Sequence, residues 1–191
     1  FTKEVIANLK NGGDVLALYR IPETRDRKIK DKKEKYYLPT TWDRFKATIW
    51  DRGTNCGGFI RPNNVLNNFP NQKFIDFQFA GLIDDCDKMV MDDFPCPIEP
   101  IIQGVDKAVR DRFDVHTFKL GALQPKWTLR KFAYMLELKI GKGRLFITGF
   151  NFTKLNENQP EVCAMFESII EYVTSNNFNP KTSIESDVFE K

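Results

Sequence analysis

Histidine is nearly missing from this chain: His116 is its single copy. No cysteine or second histidine stands near it, so the sequence offers no assignable acid/base histidine, and a surface-loop residue is the default. Cysteine is scarce too, at Cys56, Cys86, Cys96 and Cys163. No two of them have CxxC spacing, so no metal site is expected and a disulfide framework is not implied. Buried free thiols or loop cysteines are the expectation. No apolar run approaches the ~20 residues of a membrane helix, so no membrane span is expected. EF-hand spacing, a Walker pattern and internal repeats are also missing. An excess of one charge is lacking as well: Lys and Arg number 29 against 26 Asp and Glu, a net charge of +3. No nucleic-acid partner is expected from so mild a balance. No cofactor is expected either.

Apolar mass is abundant. Hydrophobic residues make up 41% of the 191 positions, and 17 are Phe. That is enough for one globular domain with a sizeable core. The clearest element is Phe132 to Phe150, FAYMLELKIGKGRLFITGF, two apolar runs meeting at Gly141-Lys142-Gly143. Phe132, Tyr134, Leu136, Leu138 and Ile140 fall on one face at period two, and Ala133, Met135, Glu137 and Lys139 on the other. A short Gly-containing connection between two such runs is a hairpin signal. Lys142 between glycines lacks the helix a phosphate loop needs, so the segment reads as a turn without chemistry.

The flanks follow an α/β rhythm. Thr2 to Lys10 reads as an amphipathic helix with Thr2 as N-cap and Val5, Ile6 and Leu9 on one face. Asn11-Gly12-Gly13 stops it, and Asp14 to Tyr19 reads as a strand covered on both faces. Gly57 to Arg61 reads as a strand, Asn67 to Asn71 as a turn, and Phe74 to Leu82 as a short helix. Pro100 to Asp106 is a further apolar strand, and residues 107 to 131 read as polar and irregular. Pro160 fits position N1 of a helix running to about Ser175, with Val162, Met165, Phe166, Ile169, Ile170 and Val173 as its apolar stripe. The expected organisation is one α/β domain over residues 1–180 and a polar tail over 181–191.

Chemistry-bearing residues have structural as well as functional readings. The charge run of residues 24–35 fits a polyanion patch or a solvated loop. Tyr36, Tyr37, Trp42, Phe45 and Trp50, with Arg44, Asp51 and Arg52 nearby, fit a sugar platform or a long loop packed on the core. Trp42, Trp50 and Arg52 are the candidate carbohydrate-binding residues. Asp84, Asp85, Asp87, Asp92 and Asp93 crowd around Met89-Val90-Met91. Adjacent carboxylates on a strand point apart, so solvated strand ends are expected there instead of an acid/base pair. No catalytic residue is assigned.

The order of PIIQGVD, LELKIGKGRLFITGFNF and NQPEVCAMFESIIEYVTSNNFNP resembles the C-terminal region of glycoside hydrolase family 2 enzymes, the beta-galactosidase-like proteins, particularly those of Bacteroidota. The stretch FKATIWDRGTNCGGFI is similar to the Trp-x-Arg-Gly segment of that region, here Trp50, Arg52 and Gly53. The chain departs from it at Asn63-Asn64, where the family has His-Pro, and in a longer linker after Asp106. The resemblance implies a flavodoxin-like or class I glutamine-amidotransferase-like α/β layered sheet, with helices on both faces and a closing antiparallel hairpin near 132–150. It also implies a periplasmic or extracellular parent whose upstream domains are this region's partners, with oligosaccharide as a possible ligand. A glycosidase barrel needs ~250 residues, so its carboxylate pair would precede Phe1 and this chain is expected to be a fragment. An amidotransferase site would need Cys56 on a strand-to-helix elbow with His116, and Asn55-Cys56-Gly57-Gly58 lacks that setting.

Overall fold

A computed structural model describes residues 1–18, 58–83, 86, 89–91, 96–107, 129–152, 155 and 159–186. The chain starts with helix α1 (Lys3–Lys10), whose first turn is capped by Thr2: its hydroxyl accepts the Val5 N–H at 3.4 Å. Ile6 and Leu9 are the buried face of α1. Strand β1 (Asp14–Leu18) follows, then β2 (Gly58–Ile60), a 3₁₀ turn at Asn64–Leu66, a second at Phe77–Phe79, and helix α2 (Ala80–Ile83). Strands β3 (Met89–Val90), β4 (Ile102–Lys107), β5 (Leu129–Ile140) and β6 (Gly143–Thr148) come next. Helix α3 (Pro160–Val173) and strand β7 (Ser183–Ile184) complete the described residues.

The described strands form one seven-stranded mixed sheet with the backbone order β1-β6-β5-β4-β2. Strand β5 is its axis. Ala133 is paired with both Gln103 and Met89, Met135 with both Ile102 and Thr148, and Lys139 with both Arg144 and Ser183. One edge of β5 therefore carries β4 and then β7, and the other carries β3 and then β6. The expected hairpin is present, but it lies in the middle of the sheet and does not close an edge. The reason is burial: Phe132, Ala133, Tyr134, Met135, Leu136, Leu138 and Ile140 are all withdrawn from water, which only a strand covered on both faces can achieve.

Strict alternation along β5 does not survive. Ile102 faces Met135 while Gln103 faces Ala133, so Tyr134 is an extra residue in the ladder. Such a bulge shifts everything beyond it to the opposite face. Tyr134 and Met135 accordingly both join the cluster containing Phe146, Phe150 and Val162. Leu136, Leu138 and Ile140 join the other, with Leu145 and Ile147. The Tyr134 ring stacks on Phe150, with centroids 5.9 Å apart.

Two apolar clusters thus sandwich the sheet, one containing α1 through Ile6 and Leu9, the other α3 through Val162, Met165, Ile169 and Tyr172. This is a mixed α/β architecture. Three details differ from expectation. Strand β1 is exposed at both ends and half-buried between, because it is an edge strand with β6 as its described neighbour. The stripe of α3 is rotated: Ser168 and Tyr172 are buried within it, whereas Ile170 is 38% exposed. The segment after residue 180, expected as a polar tail, enters the sheet at β7 and buries Ile184.

The turn between β5 and β6 is built against α1. Gly141 has φ +61°, a conformation that disfavours a side chain. At Gly143 a Cβ would stand 2.4 Å from both the Leu9 and the Gly13 carbonyl oxygens. The two glycines form a notch for the end of α1, and Lys142 between them is exposed.

Candidate functional site

Partly buried polar groups gather in three places among the described residues. The first centres on Glu137, on the α3 face of β5. Its Oε1 accepts from Asn63 Nδ2 at 3.2 Å and its Oε2 accepts from the Tyr172 hydroxyl at 2.8 Å. Asn63 also caps the first 3₁₀ turn, its side-chain oxygen accepting the Val65 N–H at 3.0 Å. Ser168 of α3 donates to the Val65 carbonyl at 2.5 Å. Burial, then the hydrogen bond and charge of Glu137, push the Tyr172 hydroxyl well above the ordinary tyrosine range. A phenol held protonated in this way is a donor and not a base. The constellation joins the central strand, the turn and α3, with each Glu137 oxygen already engaged.

The second centres on Arg61, just beyond β2. Its Nη1 donates to the Pro100 carbonyl at 2.8 Å and to Gln103 Oε1 at 3.0 Å, and its Nε lies 3.7 Å from Glu99. The guanidinium sits 4.7 Å from the centre of the Phe59 ring. Phe59 pairs across an isolated antiparallel bridge with Phe74. Phe59, Phe74 and nearby Phe77 are 40%, 46% and 65% exposed. Phe59 beside the fixed arginine, with its bridge partner Phe74, makes an accessible aromatic pair, a surface that interfaces and ligands favour.

The third is Arg144 on β6. It makes a two-pronged pair with Asp14, the Nε–Oδ1 arm measuring 2.7 Å, and also donates to the Phe178 carbonyl. Its guanidinium lies 4.9 Å from the Phe178 ring centre. The Asp14 hydrogen bond holds the Arg144 pKa above its usual value.

The sequence candidates Trp42, Trp50 and Arg52 lie outside the described residues, as do Cys56, His116 and the aspartates 84, 85, 87, 92 and 93. The Glu137, Tyr172 and Asn63 grouping was missed in the sequence reading. Its one signal in the sequence is an acid between Leu136 and Leu138, both buried, where a charge persists only if hydrogen-bonded. Among the described residues no group of three or more His, Cys, Asp or Glu side chains is placed to hold a metal ion. No described helix is long and apolar enough to cross a membrane.

Fold and polar clusters together define an α/β domain in which β5 and its hairpin form the frame. The chain belongs to the family described as Domain of unknown function (DUF8487), whose model matches residues 1–118 and 125–191. No curated protein matches the sequence.

Proposed function

We propose that this chain is a non-catalytic accessory domain of a glycoside hydrolase of the beta-galactosidase-like type, bracing the parent's architecture or the rim of its substrate cleft. The observation that carries the reading is how the domain uses its polar groups. Glu137, Ser168 and Arg144 each tie separate elements together, which suits a scaffold. The resemblance of the ordered motifs from Pro100 through Pro180 to carbohydrate-active enzymes of Bacteroidota supports the reading, and with it upstream domains as partners and a periplasmic or extracellular setting. The flavodoxin-like or amidotransferase-like layering belongs to the same proposal. It is supported by α1 and α3 lying with different clusters, and by the parallel pairing of β1 with β6 and of β5 with β7. The test is to assay the isolated chain on aryl glycosides and on glutamine, and the parent with and without this domain. We expect no turnover by the chain alone, and lower thermal stability or activity of the parent when the domain is deleted. Turnover by the chain that disappears in Cys56→Ala would overturn the reading.

A second reading is a carbohydrate-binding or protein-interaction module, favoured by the exposed Phe59 and Phe74 pair at Arg61. It draws on the aromatic segment 36–52, which precedes β2 in the chain. Titration with oligosaccharides, followed by tryptophan fluorescence, separates the readings. Millimolar or tighter binding that is lost in Trp50→Ala or Phe74→Ala favours the module, and no response to any oligosaccharide counts against its carbohydrate form.

A further inference from the structure

Two parts of the fold that are far apart in sequence meet at Arg144. Among the described strands β1 is an edge element of five residues with exposed ends. The strap from Thr174 to Ile184 leaves α3 on one side of the sheet and ends in a two-residue strand, β7. Phe178 is buried with the α3 cluster against Tyr172, with ring centroids 5.5 Å apart, whereas Ile184 is buried with the α1 cluster. The strap therefore passes from one face of the sheet to the other beside β5, and the Thr182 carbonyl accepts the Lys139 N–H at 2.8 Å.

Arg144 touches both parts. It grips Asp14, the first residue of β1, and with the same planar group donates to the Phe178 carbonyl and covers the Phe178 ring. A guanidinium is rigid, so the orientation that satisfies Asp14 also sets the one that meets the strap. If β1 leaves, Arg144 keeps a charge beside an apolar ring without its carboxylate. If the strap leaves, Arg144 loses its carbonyl acceptor and its ring contact. Each departure weakens the seat of the other.

We propose that Arg144 couples edge strand β1 and the C-terminal strap into one cooperative opening unit, so that the strap must loosen for the edge of the sheet to open. Thermodynamic coupling of this kind is reciprocal. A sub-global opening of this kind costs less than complete unfolding.

Amide hydrogen exchange on the intact chain tests this. In Asp14→Asn, the amides of β1 and the Lys139 amide bonded to Thr182 should both exchange faster, roughly 5-fold at the lower end of ordinary coupling. The Gly149 amide, bonded to the Tyr134 carbonyl, serves as a core reference and should keep its rate. In Lys181→Gly, a change at an exposed position that frees the strap backbone and leaves the core side chains in place, β1 amides should accelerate in turn. Asn68→Ala, which removes an exposed bond to Glu171 on α3, is the control and should leave β1 and the strap unchanged. Faster β1 exchange in Asp14→Asn with Lys139 at its original rate would overturn the coupling. So would uniform acceleration of every amide, Gly149 included, because the two parts would then have no opening of their own.

Discussion

Replacing Gly143 with alanine tests the packing of α1 against the hairpin turn. The new Cβ would stand 2.4 Å from the Leu9 oxygen, 2.4 Å from the Gly13 oxygen and 2.8 Å from Leu9 Cα. All three are backbone atoms, so no side chain can swing aside. Ordinary contact begins near 3.5 Å, so the end of α1 must retreat by about 1 Å. Overpacking of this kind costs ~1–3 kcal/mol. The retreat also uncovers part of Ile6 and Leu9, whose complete burial stabilises by ~1.5–3 kcal/mol each. A net loss of about 3 kcal/mol follows, equivalent to a fall in Tm of roughly 6–12 °C for a chain of this size. Urea titration and a thermal melt of Gly143→Ala beside Lys142→Ala provide the assay. The exposed lysine should be replaceable within ~0.5 kcal/mol. If Gly143→Ala is as stable as the parent, or Lys142→Ala is equally damaging, the notch between the glycines is not what seats α1.

Other perturbations probe α3 and its polar seat. Ile169→Ala should destabilise by ~2–5 kcal/mol in denaturant titration, whereas Ile170→Lys at the next position should stay within ~0.5 kcal/mol, because Ile169 is buried and Ile170 faces water. Equal costs would refute the rotated stripe. Ser168→Ala removes the donor to the Val65 carbonyl and should cost ~1–2 kcal/mol by the same titration. Tyr172 keeps its proton in the fold at pH values where an unfolded tyrosine, with a pKa of about 10, releases it. The unfolded state then binds fewer protons, so this residue's contribution to stability falls as pH rises above about 10, by up to ~1 kcal/mol per pH unit after allowance for screening. Tyr172→Phe should be the less stable protein at pH 8 and show the shallower decline to pH 11; parallel declines would sink the argument.

Local signals were legible where one residue's chemistry decides the outcome. Thr2 caps α1, Pro160 opens α3, and Gly141 turns the hairpin as its conformational freedom allows. The mixed α/β class followed from these. Long-range partners were not legible. Tyr134 looks like one more alternating residue until its bulge places Leu136 on the opposite face, and only the pairing with β4 reveals that. The same applies to β1, whose apolar run suits a covered strand but which is half-buried and lies at the edge of the described strands. Ser168 and Tyr172 were passed over in α3 because a stripe drawn through apolar letters omits buried polar groups with partners elsewhere. Glu137 meets Asn63 and Tyr172 across 74 and 35 positions, a convergence that no local spacing encodes.

The parallel pairing of β1 with β6 has a consequence for synthesis. Asp14 and Arg144 are 130 positions apart. At ribosomal rates of ~5–20 residues per second, β1 waits roughly 7–26 s before its neighbour exists. During that interval β1 lacks the partner strand it has among the described residues, and β5, the strand that organises the sheet, has yet to be completed. Pairing of β1 is therefore a late step, possible only once the hairpin of β5 and β6 has been made.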